Sequence, residues 1–599
     1  MLQDTVLFFP VEILLTSIVN LYLNSSYCLT IVSEKSLDLS ISNSFTSMVP
    51  EDGDLLVNQL LQVSEMGCSD YIVKMRDPAR FMAAFERVNH LGNVRRSDRK
   101  VVFLPYEDNN ITRTDLLQLL TLKETSFLAN ILLILPSLES GLCSIYDLAT
   151  HKYTGPDDQV DQPYYMDRWN SCSLKFEKDA NLFPHDMTNL HGKTVKVACF
   201  TYKPYALLDL DPLEEPLGRD GTEVRIVDEF CRWINCTIEV VRDDEHEWGE
   251  LYDNQTGVGV LGNVVKDRAD LGITALYSWY EEYLELDFSG SGIRTAITCV
   301  APSPRLLASW EMPLLPFSWY MWMALGFTFV YASFALAIAK GCSTDKVFLA
   351  TFGMMVTQSQ ADVGATWRVR SITGWMLLTG LVLDNAYGGG LASVFTVPKY
   401  EKSIDTVQDI VDRGMEWGAT HDAWVFSLTL SPEPLVKQLV SLFRVSSAED
   451  MKIKSMQRSM AFSVERLPAG YFAVGDYITK DAMLGLTLMQ EDFYYEQCVV
   501  MMRKSSPYTQ KVSKLIGRLH ESGLMLAWET QVALKYLNYE VQLEVRLSRF
   551  HKDVDNVEPL KLRHVVGVFI IYIIGVIIST MLFILEIIHK HKKRVYKCC

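Results

Sequence analysis

Three stretches of the chain lack the mixed polar face that a surface helix would show. Phe317 to Ala339 is charge-free and carries Trp319, Tyr320 and Trp322 at one end, Ile372 to Val397 is apolar apart from Asp384 and Asn385, and Val565 to Leu585 holds no charge. Each is long enough to cross a hydrocarbon layer about 30 Å thick, which takes about 20 residues. The pattern therefore predicts membrane spans over 317–339, 371–397 and 565–588. Between the first two, Val347 to Thr357 is apolar but only about half the spanning length. Such a segment suits a re-entrant loop, whose irregular backbone must face protein or a water-filled path, and 345–360 is assigned to it. Outside the spans, the alternation in Leu190–Val197 predicts a strand. Val224, Val227, Phe230 and Cys231 fall on one face of a helix that opens near Gly221.

Charge fixes the orientation. Lys340, Lys346, Arg368 and Arg370 flank the short segment, and the tail from His589 to Arg594 is strongly basic. Both belong in the cytoplasm under the positive-inside rule, so segments 27–312 and 398–563 are extracellular. That topology requires an export signal, assigned to residues 1–26. Ile13 to Leu23 is apolar and ends near Ser25 and Ser26, although Asp4 and Glu12 are the only charges and the usual basic start is missing. The cytoplasmic loops and the 589–599 tail are too short to fold a catalytic domain. A receptor kinase or cyclase is excluded, no enzyme activity and no catalytic residue is expected, and a short loop beside a polar-bearing span makes the output conduction.

The balance of 73 acidic against 56 basic residues, a formal charge of -17, excludes a nucleic-acid partner, which needs a concentrated basic face. It suits an extracellular surface that gathers cations. The 12 cysteines include no CxxC pair and no Cys/His cluster of zinc spacing, so neither a metal nor a cofactor is expected. Cys231 and Cys236 are either bridged in an oxidising compartment or two core thiols. His589 and His591 near Cys598 and Cys599 read as a basic tail that meets anionic membrane lipid, with palmitoylation open to the two cysteines. Sequons at Asn24, Asn110, Asn235 and Asn254 are candidate glycosylation sites where that part of the chain lies outside.

Short strings then follow one another in a telling order: Leu190-His-Gly-Lys-Thr-Val-Lys-Val197, Tyr202-Lys-Pro-Tyr205, Gly221-Thr-Glu-Val-Arg-Ile226, Ala269-Asp-Leu-Gly-Ile273 and Leu286-Asp-Phe-Ser289. Pro316-Phe-Ser-Trp319 opens the first span. Ala386-Tyr-Gly-Gly-Gly-Leu-Ala-Ser-Val-Phe-Thr-Val397 closes the second, Lys402-Ser-Ile-Asp-Thr-Val407 follows, and Leu519-His-Glu-Ser-Gly-Leu524 with Trp528 comes last. Over roughly 190–590 this set resembles the insect ionotropic receptors, the chemosensory branch of the ionotropic glutamate receptor family; no single string is decisive, and the order is what is specific. The resemblance implies a multidomain membrane protein. Segments 190–312 and 398–555 would form a bilobed α/β, periplasmic-binding-protein-like ligand domain, split by a glutamate-receptor-type pore of three spanning helices plus a re-entrant loop. Four subunits normally surround one pore. Residues 27–185 are a short extracellular amino-terminal region with no fold assigned. Asp405 with Gln408 is expected to form a capping box on the helix after the second span.

Carried over residue by residue, the family's ligand arginine lies seven residues before Ser289, at Glu282, and Ala269 to Ile293 contains neither Arg nor Lys. A carboxylate ligand would meet repulsion where it needs a bidentate cation, which speaks against glutamate or glycine. The family's acid for the ligand's ammonium matches Asp476, and its hydroxyl donor falls near Thr420. Trp279, Tyr280 and Tyr477, with Tyr277 and Trp424, are candidate aromatic walls. Added acid, retained acid and aromatic rings suit a cation, so the expected ligand is a small amine or polyamine; the bland alternative is that Glu282 and Tyr283 face solvent. Cys498 has no cysteine within its segment to pair with, so the family's lower-lobe disulfide is missing.

Counting back from the gate string, the selectivity position falls at Thr357–Gln358, where neutral polar groups would pass cations without strong discrimination. Asp384 is a candidate ring of negative charge in the pore, or a structural partner of Asn385. The gate is assigned to Ala386, Tyr387, Gly388, Gly389, Gly390 and Leu391, the glycines permitting close packing or a bend. By resemblance, the chain is expected to be a ligand-gated, non-selective cation channel subunit of the odour-tuned type. It would bind a small-molecule odorant, join co-receptor subunits in a heterotetramer, and sit as a multi-pass protein in the plasma membrane of a sensory dendrite or cilium. A taste, humidity or temperature subunit, or a non-conducting membrane receptor, is the alternative.

Overall fold

A computed structural model describes residues 10–597 apart from 38, 40, 52, 140–142, 157–161, 306–310, 341–343, 361–365, 397–399 and 551–561. Residues 1–9 of the export-signal assignment, Val397 at the end of the gate string, and Cys598–Cys599 lie outside the described residues. The chain forms two bodies, 1–302 with 405–548 and 303–404 with 549–599.

The first body begins with an eight-stranded sheet. Its strands Phe45–Met48, Leu29–Ser33, Asp70–Lys74, Lys100–Phe103 and Asn130–Pro136 run parallel in that spatial order. Ile145–His151, Pro163–Asn170 and Lys175–Phe176 continue it antiparallel. Crossover helices Asp54–Glu65, Pro78–Leu91 and Asn110–Gln118 cover one face with Leu56, Leu60, Phe81, Phe85 and Leu116. Region 27–185, which the sequence left without a fold, is thus a doubly covered α/β layer of the kind that parallel strands require.

The other face carries the residues assigned to the export signal. Helix Pro10–Ile18 and the following turn Val19–Leu23 bury Leu14, Leu15, Ile18, Val19 and Leu23 against Ile31, Ile72, Val102 and Leu132. Polar groups fix the segment as well: Lys100 Nζ donates to Tyr22 O at 2.9 Å, and Tyr22 Oη to Ala180 O at 3.1 Å. The h-region of a signal and a core helix have the same composition, and in this structure the apolar run packs on the sheet.

Residues 193–302 and 417–503 build two further sheets. The five-stranded one runs Cys236–Arg242, Lys193–Cys199, Leu271–Gly272, Met501–Arg503, Leu286–Phe288. The seven-stranded one has the path Phe443–Val445, Trp417–Ala419, Ala461–Arg466, Arg294–Pro302, Leu486–Leu488. Each sheet borrows a strand from the other segment: Arg294–Pro302 leaves the first for the second sheet, and Met501–Arg503 returns. This makes a mixed α/β pair of lobes joined by strands. The predicted helix, Thr222–Ile234, buries Val224, Val227, Phe230 and Cys231, and Cys231 is bridged to Cys236. Two more bridges, Cys28–Cys68 and Cys143–Cys172, lie in the amino-terminal sheet region, as an oxidising compartment allows. Cys498 is buried and free. The capping box sits one residue later than expected, formed by Thr406 and Asp409 at the start of Val407–Arg413.

Within these lobes Glu529 is only 1 % exposed and accepts the Ala469 N–H at 2.9 Å. Burial pushes its carboxyl up to about 7. The folded chain therefore keeps a proton that the unfolded chain loses near 4.5, and stability falls as pH rises from about 4.5 to about 7. That displacement is worth on the order of 3 kcal/mol. Glu529→Gln keeps the acceptor without the charge. It should flatten this decline and raise the melting temperature at pH 8 more than at pH 4.5, read by thermal denaturation of the purified full chain.

Among the described residues the second body holds the helices Trp319–Lys340, Thr344–Met355, Trp367–Thr396 and Leu562–Lys597. Two segments, Trp319–Lys340 and Val565–Ile588, are long and apolar enough to cross a membrane. The 30-residue helix Trp367–Thr396 would be about 45 Å long. Ala332, Leu336, Val347, Met354, Val369 and Met376 pack its first part with the two preceding helices.

Candidate functional site

Where the two lobes meet, the residues between strand Lys193–Cys199 and helix Thr222–Ile234 reach across to strand Ala461–Arg466. Tyr202 Oη donates to Glu465 Oε1 at 2.9 Å and Tyr205 Oη to Glu465 Oε2 at 2.6 Å. Tyr277 adds a third phenol. Burial raises the Glu465 carboxyl above its ordinary range, with the three phenols pulling the other way. The cluster is a latch between lobes. Its only legible trace in the sequence is an acid at a buried position of a strand that is otherwise largely apolar.

Beside the latch lies a cavity of about 170 Å³. Glu250, Trp279, Tyr280, Glu281 and Glu282 line it from one lobe, and Phe426 lines it from the other. Helix Tyr280–Glu285 starts right after Trp279 and carries both acids in its first turn, where the helix dipole favours negative charge. Glu282 is 7 % exposed, and burial raises its carboxyl above the ordinary range. Glu250 is raised too, first by burial and then by a hydrogen bond with the Asp422 carboxyl. Trp279 meets Phe426 edge-on at 5.3 Å, and its buried Nε1 has no hydrogen-bond partner among the described residues. No lysine or arginine lines the cavity among the described residues. Three carboxyls and aromatic walls thus converge on one space.

Of the expected ligand residues, Glu282, Trp279 and Tyr280 come together here, and Glu282 and Tyr283 are not equally solvent-facing: Tyr283 is exposed, Glu282 is buried. The others lie elsewhere. Asp476 has an 84 % exposed side chain and pairs with Lys203 Nζ at 3.0 Å. Tyr477 is packed in the core of the second lobe with Phe462. Thr420 follows strand Trp417–Ala419 and is half-buried. Tyr277 serves the latch, and Trp424 is buried with its carbonyl accepting from Tyr494 Oη at 2.6 Å. Glu250 and Phe426 carry no motif, because each acquires its role only when distant segments meet. Asn24, Asn110, Asn235 and Asn254 are all exposed.

In the second body, helix Thr344–Met355 ends with Thr357 in the left-handed region at φ 57°. The Gln358 N–H returns to Gly353 O at 2.7 Å. Thr357 Oγ1 lies 3.5 Å from Asp384 Oδ2, at the long limit of a hydrogen bond, so two of the pore candidates adjoin. Asn385 instead donates to Leu381 O of its own helix at 2.7 Å. Within the gate string Tyr387 Oη donates to Pro313 O at 2.9 Å, and its ring meets Phe317 and Trp322 edge-on. A Cβ on Gly390 would stand 3.0 Å from Pro316, whereas Gly388 and Gly389 face open space. Ala386 is exposed and Leu391 half-buried.

Residues 318–576 match the model of the Ligand-gated ion channel family. The chain is 19% identical over 427 residues to "Glutamate receptor ionotropic, delta-2" of Mus musculus, covering 66% of this chain and 41% of the relative. It is 21% identical over 438 residues to "Glutamate receptor ionotropic, delta-1" of Homo sapiens, covering 67% and 42%. It is also 21% identical over 424 residues to "Ionotropic receptor 21a" of Anopheles gambiae, covering 64% and 42%. The chain thus spans less than half the length of these curated relatives. It is similar to ionotropic glutamate receptors, with an insect ionotropic receptor among the matches. That family is one of membrane channels and not of enzymes.

Proposed function

We propose that this chain is a chemosensory, ligand-gated, non-selective cation channel subunit whose agonist is a small amine or polyamine. The observation that carries the agonist is the cavity with Glu250, Glu281 and Glu282 against Trp279, Tyr280 and Phe426. An ammonium there gains charge-assisted hydrogen bonds and ring-face contact, while a carboxylate gains only repulsion. Because the lining comes from both lobes, a cation seated in it draws them together. The pull passes along the chain itself, through residues 303–316 and 397–404, to the helix carrying Tyr387. Thr357, Gln358 and Asp384 would set the cation path, with Asp384 adding negative charge near the loop. The short re-entrant loop and three spans, assembly with co-receptor subunits into a heterotetramer, odour tuning and a place in a sensory dendrite belong to the same reading.

The test is current through the full chain, expressed with a co-receptor subunit, under putrescine, spermidine, phenylethylamine and a matched set of carboxylic acids. Amines should evoke cation current, and Glu282→Gln should raise the half-maximal concentration about tenfold or more, since a charge-assisted contact is worth roughly 1.5–3 kcal/mol. Activation by acids alone would end the amine reading. Surface chains that bind spermidine yet pass no current would instead favour a non-conducting receptor.

A further inference from the structure

The cavity's acidic helix, Tyr280–Glu285, is only six residues long, far too short to hold its shape alone. Its carboxy-terminal carbonyls need donors, and part of that supply comes from outside the two lobes. Arg95 lies between helix Pro78–Leu91 and strand Lys100–Phe103 of the amino-terminal sheet region. Its guanidinium donates through Nη2 to Tyr283 O and through Nη1 to Leu286 O. Nη1 also pairs with Asp287 Oδ1 at 3.2 Å, and the guanidinium sits 3.8 Å over the Tyr283 ring. Lys504 takes a further carbonyl of the helix, Leu284 O at 2.7 Å, and is itself tied to His90 O of the amino-terminal region at 2.6 Å. Cations at a helix carboxy terminus are favoured by its dipole, and a guanidinium fork can hold two carbonyls at fixed spacing where an ammonium holds one.

We infer that Arg95 is a positioning residue of the agonist cavity: from the amino-terminal region it fixes the helix that presents Glu282 and Tyr280 to the ligand. The inference rests on the amine reading of the cavity. Arg95 itself does not line the cavity; it acts by holding the acids in place before the ligand arrives, which removes an ordering cost from binding. The amino-terminal region, joined to the lobe through this seam, then tunes agonist affinity without touching the agonist.

The experiment measures spermidine saturation binding and spermidine-evoked current for the full chain. Arg95→Ala should weaken apparent affinity about tenfold with the maximal current per surface chain preserved, and Arg95→Lys should lie between. Glu86→Gln is the control: it disturbs the Glu86–Arg503 contact in the same seam without touching helix Tyr280–Glu285, and should leave affinity unchanged. If Arg95→Ala fails to reach the surface, the graded shift from Arg95→Gln to Arg95→Lys answers the same question. A loss of maximal current with unchanged affinity, or equal shifts in Arg95→Ala and Glu86→Gln, overturns the positioning role. Glu282→Gln separates the two readings. If it leaves spermidine binding intact, the cavity reading fails; if it weakens binding while Arg95→Ala is silent, only the positioning role fails.

Discussion

Glu465→Ala is expected to deprive the cell surface of folded protein. Glu465 is 2 % exposed, and it is where the phenols of Tyr202, Tyr205 and Tyr277 converge. Removing its carboxyl leaves the buried Tyr205 hydroxyl with only the Cys498 thiol, a weak partner, and opens a void beside it. Tyr277 keeps a contact with Thr295 Oγ1 at 3.3 Å, and Tyr202, half-buried, can turn to water. An unsatisfied buried polar group costs roughly 1–3 kcal/mol and the void adds to that, for a total of roughly 3–5 kcal/mol. A domain stable by about 5–15 kcal/mol would lose a large part of its margin. Glu465→Gln keeps one carbonyl acceptor and gains an amide donor, so its cost should be nearer 1–2 kcal/mol. The comparison is made by surface biotinylation and thermal denaturation of the purified chain: Ala far below wild type, Gln close to it. Equal melting temperatures for all three would show that the latch contributes nothing.

The latch also shows where sequence patterns stop. Helix Thr222–Ile234 was legible because it pairs a polar face with an apolar one, and the two most apolar spans because length and hydropathy suffice. The amino-terminal sheet was not. Strands such as Asn130–Pro136 are buried on both faces, so they show a continuous apolar run in place of alternation. Pro10–Leu23 reads two ways for a related reason, since burial on one side of a sheet and passage through a translocon select the same residues. At the site, Glu282, Trp279 and Tyr280 were legible because one short segment brings them together. Glu250 and Phe426 stand 32 and 144 residues away from Glu282, and only tertiary packing adds them. Asp476 was placed by its string alone, and the string carries no information on exposure; Lys203 is its partner in the fold.

Gly380→Ala should cut current roughly tenfold or more while sparing spermidine binding. A glycine inside helix Trp367–Thr396 costs about 1 kcal/mol relative to alanine, so its presence needs a reason. A Cβ at Gly380 would lie 2.2 Å from Met354 O, 3.2 Å from Met354 C and 3.4 Å from Met355 Cα. These are backbone atoms in the last turn of the short helix Thr344–Met355, and they cannot swing aside as a side-chain end can. Relief requires the end of that helix to move away, which carries Thr357 and Gln358 with it and breaks the approach of Thr357 to Asp384. Overpacking of this kind costs about 1–3 kcal/mol or more, enough to lower the conducting population by roughly tenfold or more. Gly374, in the same helix, has nothing within 4 Å of its Cβ position, so Gly374→Ala should leave current unchanged or slightly raise expression. Patch recording of both variants, normalised to surface protein and paired with spermidine binding, decides the matter. Normal current through Gly380→Ala would mean that the short helix does not rest on this glycine in the conducting protein, and would count against the proposed place of Thr357 and Gln358 on the cation path.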